Sequence, residues 1–223
     1  MFAGHVGAAL AIGRAERRVN VGAFVFAALL LDVVLWLLVL LGWESITIPP
    51  NFTSTHQPEF VFPYSHGLLA SIAWSALAGA APFIWYRRLK ERKLRAAILV
   101  GTAVFSHWLL DALVHVPELP LGGASSMKVG LGLWKSMPVA LAAEVFILVV
   151  GLCLFVPSAS LSRAKKYWLT VLSLLILAFT VAGMTVAPPP PSVIAMAASS
   201  LVTIIVVCAL ACWLGRLPNE RRT

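Results

Sequence analysis

Six stretches of the chain, at about 21–43, 65–86, 96–116, 136–156, 167–187 and 193–215, run for roughly 20 residues almost free of charge. A helix of that length, at about 1.5 Å per residue, matches the ~30 Å hydrocarbon core of a bilayer. Lipid offers no partner to backbone N–H and C=O groups, so such stretches have to be helices. Residues 1–13, "MFAGHVGAALAIG", are equally apolar but too short to cross, which predicts a half-span or re-entrant helix. The expected fold is therefore all-α: a polytopic membrane protein with about six transmembrane helices plus a short N-terminal half-span. Hydrophobic residues make up 60% of the 223, above the roughly half of a soluble domain, and their surplus needs apolar surroundings outside the protein's own core.

The charges set an orientation. The formal net charge is +8, and all but Lys128 and Lys135 of the 17 Lys and Arg fall in four segments: Arg14 to Arg18, "RRLKERKLR" (87–95), "SRAKK" (162–166) and "RLPNERR" (216–222). These segments occur at alternate connections. The positive-inside rule then places them, and the C-terminus, in the cytoplasm, and explains the basic balance without nucleic acid as a partner. The basic run does not resemble a cleaved signal, because the short apolar segment precedes the arginines. Cys153, Cys208 and Cys212 all lie in apolar runs and read as small core residues. No repeat or linker divides the chain, which is expected to form one membrane domain over 1–223, with a core over 1–156 and an added helical hairpin over 167–215.

The acids and histidines sit where they cost most. The only two aspartates, Asp32 and Asp111, fall inside expected spans, as do His107 and His115; Glu144 interrupts another, His5 lies in the half-span, and His66 opens a span. An ionisable group at the bilayer centre costs about 2.5–3.5 kcal/mol on insertion scales. The stretch "SHWLLDALVH" (106–115) spaces His107, Asp111 and His115 at i, i+4 and i+8, which drifts only about 40° around a helix per step. Counted from the arginine-rich side, His5 lies roughly 13 Å deep, Asp32, His107 and Glu144 roughly 18–20 Å, Asp111 about 24 Å, and His66 and His115 near 30 Å. Carboxylates and imidazoles meeting at one level, with no Lys or Arg inside the spans, describe a divalent-metal site. A single intramembrane His is more often a hydrogen-bonded packing group, and a single Asp can relay a proton. The combination of residue types, spacing and depth favours metal, with one or two ions, zinc first. His56 reads as a solvated loop residue, and Trp43 and Trp134 as interfacial anchors.

"MFAGHVGAAL", "YSHGLL", "SHWLLDALVH" and "KVGLGLW" resemble the family of inner-membrane-associated metal-dependent hydrolases also described as LexA-binding. The resemblance covers residues 1 to about 145 and implies a bacterial inner-membrane hydrolase built on His5, Asp32, His66, His107, Asp111 and His115. The order His, Asp, His, His-x3-Asp, His is also similar to the zinc-dependent phospholipase C and single-strand nuclease superfamily. Carried over by position, that likeness implies that Asp32, His66, His107 and Asp111 hold one zinc, with Asp111 bridging to a second near His5. The superfamily's final His-x3-Glu/Asp pair is absent and Met1 stands where it has tryptophan, which argues against three ions.

These readings lead to a metal-dependent hydrolase acting near the outer leaflet on a lipid or other membrane-associated phosphoester or ester, with Glu144 as general base and Asp32 as a second catalytic carboxylate. Membrane lipid is the expected partner. Lys128 and Lys135 could attract an anionic headgroup, although solvated loop lysines look the same. The rival is a metal-ion or proton transporter using the same cluster, which should carry an inverted repeat and a polar route to both faces. A haem protein would need paired axial histidines and no aspartates.

Overall fold

Apolar residues with no local competitor for backbone hydrogen bonds dominate the runs read above, and the runs fold as helices. The computed structural model describes residues 1–85 and 92–216. Its helices are α1 (Phe2–Gly13), α2 (Val21–Ala28), α3 (Leu30–Leu40), the one-turn α4 (Phe52–Thr55), α5 (Leu68–Trp85), α6 (Lys93–Val114), α7 (Met137–Ser158), α8 (Arg163–Thr185) and α9 (Val193–Leu214). Polar caps mark several starts: the side chains of Asn20, Ser162 and Ser192 accept from the N–H groups of Gly22, Lys165 and Ala195.

Four helices, α6 to α9, are long and apolar enough to cross a membrane, and α2 with α3 makes a fifth candidate, bent by 48° at Leu29. Among the described residues that makes four candidates, or five with the bent pair, against the six full spans expected. The helix expected from residue 65 begins at Leu68, because Pro63 to Gly67 form the turn that delivers His66, and its described part is shorter than the other four. The half-span expected over 1–13 corresponds to α1, a short apolar helix.

α1 sits at the centre, packed on by α2, α6, α7 and α8. It buries Ala3, Gly4, His5, Val6, Gly7, Ala9, Leu10 and Gly13. Its closest neighbour is α7, where a Cβ on Gly7 would lie 2.6 Å from the Ile147 carbonyl oxygen and one on Gly151 would strike the Gly7 carbonyl. Small residues at such a crossing let two backbones touch where apolar surroundings provide no hydrophobic drive. The hairpin expected as an addition is built into the same body, with α8 against α1 and α7, and α9 against α2 and α3. Large apolar side chains, among them Phe146, Leu175, Phe179 and Ile194, point outward from this bundle. A lipid environment makes such a surface favourable.

The two long connections are more ordered than plain loops. β1 (Ser45–Thr47) pairs antiparallel with β2 (Glu59–Val61), and β3 (Leu119–Pro120) with β4 (Lys128–Val129); a single 3-10 turn follows at Leu133–Lys135. At the other end, Arg17 donates to the Ser158 carbonyl at 2.7 Å, Arg95 to the Ala15 carbonyl at 2.6 Å and Lys166 to the Pro157 carbonyl at 3.3 Å. The basic connections thus share one end of the bundle. The rest of the expected basic segments, 87–91 and 217–222, lies outside the described residues.

The α1–α7 crossing can be tested directly. Valine at Gly151 has no space beside the Gly7 backbone, whereas a Cβ at Gly183 on α8 meets nothing within 4 Å. We expect Gly151→Val to cost at least about 1–3 kcal/mol, seen as a lower unfolding temperature in detergent, and Gly183→Ala to cost almost nothing. Equal behaviour of the two variants would show that the crossing is not tightly packed.

Candidate metal centre

Four segments converge around one carboxylate. His107 and Asp111 lie one turn apart on α6, and His115 caps its C-terminus; His5 comes from α1, Asp32 from α3, and His66 from the turn before α5. His107 Nε2 lies 3.1 Å, His66 Nε2 3.4 Å and His115 Nε2 3.8 Å from Asp111 Oδ2, while His5 Nε2 lies 3.2 Å from Asp111 Oδ1. Asp32 Oδ1 is 3.7 Å from both His66 Nε2 and His107 Nε2. His5 and His107 stack with ring centroids 3.7 Å apart.

The far side of each ring decides what these nitrogens can do. His107 Nδ1 lies 2.6 Å from the Ala28 carbonyl, which can only accept, so Nδ1 carries the proton. His66 Nδ1 lies 2.8 Å from Ser65 Oγ, whose own proton goes to Glu44 Oε2 at 2.7 Å; Nδ1 is again the donor. His115 Nδ1 donates to Glu118 Oε1 at 2.6 Å. A neutral imidazole has one ring proton. In their neutral form all three rings present bare Nε2 lone pairs to Asp111, and the Nε2 atoms of His66 and His107 lie 3.1 Å apart. His5 Nε2, despite its 3.2 Å approach to Asp111, makes no hydrogen bond. Lone pairs gathered around a carboxylate without a shared proton repel one another unless a cation lies between them. Anchoring Nδ1 on an oxygen while Nε2 is free is also the arrangement of metal-ligating histidines.

These groups can hold a metal ion. Ligand atoms of His66, His107 and Asp111 lie within 4.8 Å of one another, as do those of His5, Asp32 and His107. The donor set of imidazole and carboxylate suits a divalent transition ion. The expectation that no cation stands in the cluster holds for side chains only, since the buried α-amino group of Met1 lies 3.4 Å from Asp111 Oδ1. No protein-family model, curated protein or solved structure matches the chain. The chemistry of the residues themselves has to carry the reading.

Five of the expected residues, His5, Asp32, His66, His107 and Asp111, meet in the two overlapping groups; His115 stands at their edge, its ring centroid 4.1 Å from that of Trp134. Trp134, expected as an interfacial anchor, covers the site together with Phe60 and Phe62. Glu144 is placed differently. It is fully buried on α7, and its Oε2 accepts from the Gly4 N–H at 2.6 Å. The first N–H groups of a helix have no partner within it, and α1 begins in the protein interior, so an acid from the next helix supplies one. Glu144 belongs to neither ligand group.

Sequence reasoning missed Glu44, Ser65, Glu118 and the Ala28 carbonyl. Glu44 and Glu118 look like ordinary loop acids, yet Glu44 is only 4% exposed and also accepts the N–H groups of Tyr64 and Ser65. Ala28 immediately precedes the break between α2 and α3, and a helix break is where a carbonyl becomes free for a side chain. The one available signal was Ser65 next to His66.

Removing the supports should weaken the site without deleting a ligand. We expect Ser65→Ala and Glu118→Gln each to reduce zinc affinity about 10–100-fold, measured by competition with a chromophoric chelator on detergent-purified protein. Affinity unchanged in both would mean that the anchored tautomers are incidental. Glu144→Gln retains an acceptor for Gly4 and should leave the affinity near wild type.

Proposed function

We propose that the chain is a membrane-embedded, metal-dependent hydrolase that acts on a lipid or other membrane-associated ester, phosphoester first. The observation that carries this reading is the set of anchored histidines turning bare Nε2 atoms toward Asp111, inside a helix that is apolar for most of its length. Asp32, His66, His107 and Asp111 would hold one ion, and His5 with Asp32 and His107 would offer an alternative position, since the single free nitrogen of His107 serves one ion at a time. Zinc fits this donor set well. When bound, such an ion polarises an ester oxygen and acidifies water by Lewis-acid action.

The protein's own residues would shape the rest. Phe60, Phe62 and Trp134 exclude bulk water from above, which strengthens every charge interaction beneath them. Asp32 is the opening: its side chain is 22% exposed against 3% for Asp111. It can therefore take a proton from a nucleophilic water while remaining near the ligands, the role expected of Glu144 before Glu144 was found under α1. An apolar cavity of about 450 Å³ between α2 and α5, lined by Phe26, Leu30, Leu77 and Val100, begins two residues from Asp32 and suits an acyl chain. Six crossings, with α5 as the sixth and α1 as a re-entrant helix, would place the basic end and the C-terminus in the cytoplasm of a bacterial inner membrane. The resemblance to the membrane hydrolase family supports the same assignment.

Elemental mass spectrometry on detergent-purified protein, wild type beside His107→Ala/Asp111→Ala, tests the foundation. We expect near-stoichiometric zinc in the wild type, lost in the double variant, and a metal-dependent release of product from lipid phosphoesters at least about 10²-fold above that variant. Metal in the wild type without hydrolysis, but with ion flux across proteoliposomes, would assign a transporter instead. Absence of metal from chelator-free preparations would remove the hydrolase reading.

A further inference from the structure

We propose that the arginine-lined cavity at the basic end of the bundle is a binding site for a phosphate-bearing anion. It encloses about 700 Å³ and is lined by Arg14, Arg17 and Arg18 from the α1–α2 turn, by Arg92 and Arg95 at the start of α6, and by a single carboxylate, Glu16. It lies about 14 Å from His5 along α1, so it is separate from the metal centre. The proposal does not depend on the hydrolase reading.

A preference for positive charge on one side of a membrane explains why arginines occur at this end. It does not explain their convergence on one cavity, nor what Glu16 does there. Glu16 is 1% exposed; its Oε1 accepts from the Arg18 N–H at 3.3 Å, and its Oε2 lies 3.7 Å from Arg92 Nη1 with no hydrogen-bond partner among the described residues. A buried carboxylate needs cationic surroundings to stay charged. Here it fixes the turn that carries three arginines and draws Arg92 toward them. Arg17 and Arg95 are tied down as well, by the Ser158 and Ala15 carbonyls.

Among the described residues, the lining therefore sets five guanidinium groups against one carboxylate. Guanidinium cannot shed its proton, so a bound anion relieves their crowding more fully than solvent screening does. Its planar fork matches the paired oxygens of a phosphate. At the end of a bundle of apolar helices, the phosphate can belong to a lipid headgroup or to a soluble phosphate.

Native mass spectrometry of the full chain in detergent, offered phosphatidylglycerol and phosphatidylcholine in equal amounts, with pyrophosphate binding measured in parallel by calorimetry, tests the site. Arg14→Gln/Arg18→Gln removes two exposed arginines that hold no backbone contact; Arg163→Gln/Lys166→Gln removes the same charge from the neighbouring start of α8. We expect the wild type to retain phosphatidylglycerol selectively, the first variant to bind about tenfold less or weaker, and the second to behave as wild type. Binding of phosphatidylglycerol alone would assign a lipid headgroup, and displacement by pyrophosphate a soluble phosphate; either supports the site. Equal loss in both variants, or wild-type protein that neither prefers phosphatidylglycerol nor binds pyrophosphate, would overturn it. Unchanged unfolding temperature and zinc content in both variants would establish that neither has lost its fold.

Discussion

The burial of Asp111 organises this molecule. A carboxylate at 3% exposure inside an apolar bundle is tolerable only if the surroundings supply charge or donors. Here four histidines approach it from α1, from α6 and from the turn before α5, and their Nδ1 atoms are directed elsewhere wherever an anchor exists. Each anchor makes its own structural demand. Holding His66 requires Ser65 and Glu44, so the connection after α3 must fold back; holding His115 requires Glu118, so the chain must turn directly after α6; holding His107 requires the Ala28 carbonyl, so a membrane helix must break. The bend at Leu29 and the connections after α3 and α6 thus carry the groups that anchor three imidazoles.

The same accounting explains the helix at the centre. α1 is too short to reach both surfaces and starts in the interior, where its first N–H groups cannot find water. Glu144 resolves that deficit with one hydrogen bond to Gly4, and the Gly7–Gly151 contact lets α7 approach closely enough to deliver it. An acid in mid-span thus serves a helix end. Mid-span position alone does not separate that use from a reactive one, because both place a carboxylate at the same depth.

The elements read most reliably from sequence were those whose signal is local and periodic. The i, i+4, i+8 spacing of His107, Asp111 and His115 put them on one stripe of one helix whatever the rest of the chain did, and Asp32 stood out as one of only two aspartates. The supports were illegible for the opposite reason: Glu44 is 21 residues from Ser65, and Ala28 is 79 from His107, and nothing in composition links them. Hydropathy alone placed a span over 65–86 but did not register the turn at Pro63 to Gly67, so it set the start of α5 too early. Depth alone did not reveal that Glu144 contacts the start of α1, since depth places an atom along one axis and contacts depend on three.

The geometry also ties the ion to the fold. Ligand atoms from α1, α3, α6 and the turn before α5 come within 4.8 Å of one another in overlapping groups. Without a cation, their lone pairs and two carboxylates repel across a medium that screens poorly. A bound divalent ion converts that repulsion into attraction between segments that are distant in sequence, so its binding free energy is also folding free energy. The Met1 amine, near Asp111, offsets only part of the charge. Packing at the glycine crossings fixes the helices relative to one another, but the ion would decide whether α1 and α6 stay joined at their site-bearing ends. An ion held there would therefore act as a structural element, and the partly exposed Asp32 is the side of the cluster nearest to its surroundings.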